Sequence, residues 1–125
     1  MTDTIRILIV DDDEQFCSLV GLVLRRVEDF EVIGEAHDGE AGVEQVDQLR
    51  PDVVLLDLMM PGMDGFQALP KIRATHPDAA VIILTALDAD QVEEAMVIGA
   101  SSFVEKRHVT NRLEAVIRSH GQRSI

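Results

Sequence analysis

The chain has 125 residues, 46% of them apolar, which suffices for one hydrophobic core and a single domain over residues 1–125. Its 11 basic and 23 acidic residues leave a formal charge of −12, so its surface repels phosphate backbones and anionic lipid, and neither direct nucleic-acid binding nor membrane association is expected. Aromatic residues amount to 3%, without Trp or Tyr, so the core is aliphatic and no stacking platform for single strands is available.

Cys17 is the sole cysteine, which excludes an internal disulfide and a multi-cysteine metal site and fits a reducing compartment. It reads as a small buried residue on a helix. The start, Met1 to Arg6, lacks a basic segment followed by an apolar stretch, and no apolar run nears the ~20 residues of a membrane span. A cytoplasmic location is expected.

In chain order, Ile5 to Val10 predicts a strand and Glu14 to Arg26 a helix, with Phe16, Leu19, Val20, Val23, Leu24 and Val27 at helical spacing. Glu31 to Ala36 is a second strand, Asp38-Gly39 a turn, and Glu40 to Leu49 a helix with Ala41, Val43, Val46 and Leu49 on one face. Pro51-Asp52 breaks it before the strand Val53 to Asp57. A loop with one proline and two glycines, Met59 to Gly65, precedes a helix from about Phe66 to Thr75. Pro70 predicts a late start or a kink there, since a proline past the first turn removes a hydrogen bond. Ala79 to Thr85 is a fourth strand, Asp88 to Ile98 a fourth helix closed by Gly99, Ser101 to Glu105 a fifth strand, and Val109 to Ser119 the last helix.

Five βα units imply an α/β fold: a doubly wound, five-stranded parallel sheet with helices on both faces. The strands around Ile7, Val53 and Val81 are almost continuously apolar, as doubly buried strands are. Ligands in such sheets gather beyond the carboxyl ends of the strands. Those ends carry Asp11, Asp12, Asp57, Thr85 and Lys106. Crowded carboxylates repel unless a cation joins them, and Asp11 or Asp12 with Asp57 offers the oxygen ligands that Mg²⁺ prefers. A cation, an ammonium group and a hydroxyl together suit the spread charge of a phosphoryl group.

The acidic pair after the first strand, the run Leu56-Asp57-Leu58-Met59-Met60-Pro61-Gly62-Met63-Asp64-Gly65, then Leu84-Thr85-Ala86, and Gly99-Ala100 with Phe103 and Lys106, closely resemble the receiver domain of bacterial two-component response regulators. The resemblance covers nearly the whole chain and implies a flavodoxin-like strand order 2-1-3-4-5. It makes Asp57 the phospho-acceptor for a phosphoryl group from a sensor histidine kinase or phosphotransfer protein. Asp12 becomes the main ligand of Mg²⁺ (or Mn²⁺), with Asp11 orienting it or holding a metal-bound water, and Asp57 and the Met59 backbone carbonyl as further members of the metal site. Thr85 would bond the phosphoryl oxygen, Lys106 would pair with Asp57 and then with that group, and small Ala86 would leave the donor room. Phe103 occupies the switch position, turning inward when Thr85 moves; plain core is its other reading. Asp13 falls at the start of the helix, as a cap. Arg107 departs from the proline or aspartate common after the lysine, and His108 could tune the pocket.

The four histidines lack metal-ligand spacing and read as solvated or loop residues. A hydrolase with an aspartate nucleophile would carry a second aspartate where Met59 stands, and apolar Met59 and Leu87 should restrict water and prolong the phosphorylated state. A flavodoxin-like electron carrier would need hydroxyls and amides, not three aspartates, in its first loop. By resemblance, the output surface spans the fourth helix, fifth strand and fifth helix, toward a downstream protein, an effector domain or a phosphorylation-dependent homodimer. The chain leaves no room for an effector after Gly121 to Ile125, so it reads as a stand-alone receiver or as the receiver portion of a longer DNA-binding transcriptional regulator. A non-phosphorylated scaffold is the remaining alternative.

Overall fold

Apolar β-branched runs too short to be helices, each followed by a capped amphipathic segment, fold into β1 (Ile5–Val10), α1 (Glu14–Arg25), β2 (Phe30–Ala36), α2 (Gly39–Leu49), β3 (Val53–Asp57), α3 (Gly65–Thr75), β4 (Ala80–Thr85), α4 (Ala89–Val97), β5 (Ser102–Glu105) and α5 (Val109–Gly121). A 3₁₀ turn over Lys106–His108 joins β5 to α5. The computed structural model describes residues 4–86 and 88–121. Leu87, expected to restrict water at the site, and most of the terminal stretch 121–125 lie outside the described residues.

The sheet is parallel throughout, in the order β2-β1-β3-β4-β5. Helices cover both faces. On one, α1 and α5 bring Cys17, Val20, Leu24, Leu113 and Ile117 onto Ile7, Ile9, Leu55 and Ile82. On the other, α2, α3 and α4 bring Val46, Leu69, Ile72 and Ala95 onto Leu8, Val54, Leu56 and Ile83. β3 and β4 are buried along their whole length, which explains why their sequences do not alternate. Each large aliphatic residue in these layers contributes about 1.5–3 kcal/mol through burial.

Aspartates start the first four helices. Asp13 accepts from the backbone N–H of Gln15 and Phe16, Asp38 from that of Ala41, and Asp88 from those of Asp90 and Gln91. The delayed start expected of the third helix does not occur. Asp64 and Gln67 form a reciprocal capping box that fixes the first turn at Gly65, and the helix runs through Pro70 to Thr75. The proline removes one donor from an exposed position, and the box anchors the turn before it.

Edge strand β2 carries one irregularity. Ile7 pairs with Val32 but Leu8 pairs with Gly34, so Ile33 is an extra residue, a β-bulge. Bulging shifts the in-out alternation by one. Val32 packs on the α1 side, whereas Ala36, of the same parity, lies on the α2 side.

Candidate functional site

Strand register places the acidic groups. Val10 lies opposite Leu56, so the residues that follow them, Asp11 and Asp57, stand side by side at the carboxyl edge. Thr85 pairs with Glu105, which sets Lys106 just beyond it. A cavity of about 320 Å³ opens there, lined among others by Asp12, Asp57, Met59, Thr85, Ala86 and Lys106. The structure thus brings together the site residues expected from sequence, with the exception of Phe103.

Asp11 is fully buried, Asp57 and Thr85 nearly so, and Asp12 is exposed. One carboxylate oxygen from each of Asp11, Asp12 and Asp57 lies within 4.8 Å of the others, close enough for one ion. The Lys106 ammonium stands 2.8 Å from Asp11 Oδ2 and 3.5 Å from Asp57 Oδ1. At Asp11 Oδ2 the attraction is charge to charge, without the directed geometry of a full hydrogen bond. Asp11 Oδ1 accepts the Asp13 N–H, and Asp57 Oδ1 accepts that of Met59 at 3.4 Å.

These contacts perturb the titrations. Burial, aided by repulsion from Asp11 and only partly offset by Lys106, pushes the Asp57 carboxyl up to about 6. Burial alone would pull Lys106 down, but its contacts with Asp11 and Asp57 outweigh that and hold it above the ordinary lysine range. Beneath it lies Phe16, whose ring centroid is 4.6 Å from the ammonium, a cation–π contact. Nothing in the sequence pairs Phe16 with Lys106, because one is on the first helix and the other follows the fifth strand.

The backbone of the loop after β3 is built on two glycines. Gly62 has φ +73, open to glycine at little cost. At Gly65 a Cβ would collide with the Asp57 carbonyl, so glycine there lets α3 start directly against the end of β3. Met59 is exposed, with its thioether receiving the Gln91 amide at 3.5 Å. Gln91 and Asp88 also line the cavity.

Phe103 is 41% exposed and turned away from the core, so it is not a plain core residue. His108 and Arg107 both turn to Glu105, at 3.5 and 2.7 Å, and not to the cavity. Cys17 is buried as expected; burial foremost pushes its thiol up to about 12, and its Sγ–H donates to the Asp11 carbonyl. His76, in the loop after α3 as expected, is half-buried, with its Nε2 2.9 Å from the Pro51 carbonyl oxygen.

The sequence model of the family described as response regulator receiver domain matches residues 7–118. Transcriptional regulatory protein LiaR of Bacillus subtilis is 39% identical over 116 residues, covering 92% of this chain and 55% of that protein, so the chain spans about half the length of this relative. Chemotaxis protein CheY of Listeria monocytogenes is 38% identical over 114 residues, covering 90% of this chain and 95% of that protein. The response regulator domain of Thermotoga maritima CheB superposes with a TM-score of 0.88 at 28% identity, over 98% of this chain and 99% of that one. The family match over most of the chain and the shared fold settle the assignment, and the chain belongs to the response regulator receiver domain family.

Proposed function

We propose that this receiver domain takes a phosphoryl group on Asp57 from a phosphohistidine of a sensor kinase or phosphotransfer protein. A bond forms between an Asp57 carboxylate oxygen and phosphorus while the phosphorus–nitrogen bond to the donor imidazole breaks. The observation that carries this reading is the meeting of Asp57, Asp12, Thr85 and Lys106 around one open cavity. Thr85 and Lys106 supply a hydroxyl and an ammonium for the phosphoryl oxygens. Exposed Ala86 leaves the approach uncrowded.

The donor set fits Mg²⁺, or Mn²⁺, because it is made of carboxylate oxygens only and holds more negative charge than Lys106 balances. Asp12 and Asp57 would hold the ion, with the Met59 carbonyl, while Asp11 orients Lys106 and its own neighbours. When bound, the ion neutralises charge as the two anions approach. Met59 stands where an aspartate-nucleophile hydrolase has its second acid, so the phosphorylated state is expected to decay slowly.

The output surface in this reading is α4, β5 and α5. Met96, Val97 and Phe103 expose apolar area along it, with Val97 81% exposed. A downstream protein, an effector domain or a second copy on phosphorylation fits such a face. The acidic charge opposes direct binding of nucleic acid by this domain. No helix among the described residues is long and apolar enough to cross a membrane. The test is incubation with acetyl phosphate and Mg²⁺, read by intact mass. One added phosphoryl group, lost in Asp57→Asn and on chelation, is expected; modification that persists in Asp57→Asn would refute the assignment.

A further inference from the structure

Beside the acidic cavity lies a second group of ligating side chains of different chemistry. Cys17 Sγ, a Glu35 carboxylate oxygen and a His37 imidazole nitrogen all lie within 4.8 Å of one another, and Glu35 and His37 approach to 3.5 Å. We propose that these three residues form a binding site for a borderline-soft divalent cation of the Zn²⁺ class, separate from the oxygen-only cluster of Asp11, Asp12 and Asp57.

The bulge in β2 aims the site. Regular alternation from Val32, which packs on the α1 side, would turn Glu35 toward α2. The extra residue Ile33 reverses this, so that Glu35 pairs with Ile9, a residue of the layer that holds Cys17. His37 follows two residues later. A bulge that re-aims side chains beside a site is a recurrent use of this irregularity.

The donor set selects the ion. Thiolate and imidazole suit zinc and reject Mg²⁺, which keeps to oxygen. On binding, the thiol proton leaves to solvent; the resulting thiolate and the Glu35 carboxylate balance the two charges of the ion, and neutral His37 adds none. Bonds of about 2.0–2.3 Å place tetrahedral ligands roughly 3.5 Å apart, so a contraction of about an ångström closes the triad around the ion. Glu35 and His37, whose side chains are 34% and 43% exposed, have the freedom to make it, while Cys17 is fully buried beneath them and is reached as they move. Water takes the fourth position, as in open zinc sites. The site touches the phosphorylation machinery through one contact, the Cys17 Sγ–H to the Asp11 carbonyl at 3.4 Å. Zinc removes that hydrogen bond.

Cobalt reports the ligands directly. The reduced protein, with Mg²⁺ in excess to occupy the acidic cluster, is titrated with Co²⁺ and then with Zn²⁺. One equivalent should give tetrahedral visible bands and a thiolate-to-cobalt charge-transfer band, both displaced by Zn²⁺. Cys17→Ser should abolish the charge-transfer band, and His37→Gln, at an exposed position that the fold tolerates, should weaken binding by at least about tenfold. Asp12→Asn and Asp57→Asn should leave the titration unchanged. Absence of the thiolate band in the unaltered protein, unchanged affinity in His37→Gln, or loss of binding in Asp12→Asn would each overturn the proposal. The aspartate variants keep it distinguishable from failure of the phosphorylation reading.

Discussion

Asp57→Asn is expected to make the metal-free protein more stable, and to do so only above a defined pH. Burial first, then Asp11, raise the Asp57 carboxyl from its ordinary 3.8 to about 6. A raised acid favours folding below the unfolded value and withdraws that contribution as pH climbs through the folded value. At about 1.36 kcal/mol per pH unit, the ionised Asp57 therefore costs roughly 3 kcal/mol at neutral pH, an upper bound given the opening of the cavity. Asparagine keeps the shape and does not ionise. The assay is thermal unfolding of both proteins in chelator from pH 4 to pH 8. Their midpoints should nearly coincide at pH 4, diverge between the unfolded value of 3.8 and the folded value of about 6, and level off above it about 10 °C apart, at a few degrees per kcal/mol for a domain of this size. Saturating Mg²⁺ should then recover most of the difference for the unaltered protein alone, since an ion at a hundred times its dissociation constant stabilises by about 2.7 kcal/mol. A midpoint difference that does not change with pH, or an asparagine variant that is the less stable at pH 7.5, would refute the reasoning.

Other substitutions test the frame around the site. Gly65→Ala places a Cβ against the Asp57 carbonyl and should cost about 2 kcal/mol or more in urea unfolding, with slower phosphorylation by acetyl phosphate because the acceptor strand must shift. Asp64→Ala removes one half of the capping box and should cost about 1 kcal/mol, measured in the same way, while leaving the phosphorylated mass intact. Lys106→Met leaves Asp11 and Asp57 without their ammonium; unfolding at pH 7 should come several degrees earlier, and the single-turnover rate with acetyl phosphate should fall about tenfold or more, about 1.4 kcal/mol of barrier.

Most of the fold was legible because two simple periods carry it. Strands buried on both faces read as apolar runs at Ile7, Val54 and Val81, and the amphipathic helices show their spacing against them. Their carboxyl ends then named the acidic site, since parallel topology alone brings them to one edge. What stayed hidden depends on side chains meeting across elements. The late start that Pro70 suggests for α3 does not occur because a capping box anchors the helix ahead of it, and propensity weighs the proline without the box. The bulge at Ile33 leaves no mark in a sequence where Val32 and Ile33 are equally suited to a strand. Without it, His37 has no visible relation to Cys17. The exposure of Phe103 was likewise unreadable, because an aromatic residue on a short edge strand fits either face.

Charge arithmetic at the carboxyl edge shows what the proposed ion would offset. The cluster contains three carboxylates and one ammonium, so with all ionised it carries two negative charges in a largely buried place. A monovalent ion would leave one charge uncancelled; a divalent ion cancels both. Lys106 sits closer to Asp11, at 2.8 Å, than to Asp57, at 3.5 Å, and Asp11 also accepts the Asp13 N–H at 2.9 Å, so Asp12 and Asp57 carry most of the charge left to offset. Of these two, only Asp57 is buried, and burial, with Asp11 beside it, pushes its carboxyl up to about 6. On the phosphorylation proposed above, the unfavourable ionisation of Asp57 is what metal and phosphoryl group would both act on. A bound ion would relieve it directly, and an acyl phosphate would move the charge outward onto oxygens within the cavity that Thr85 and Lys106 line. A substitution that relieves it permanently, such as Asp57→Asn, is then expected to stabilise the fold and to remove the response.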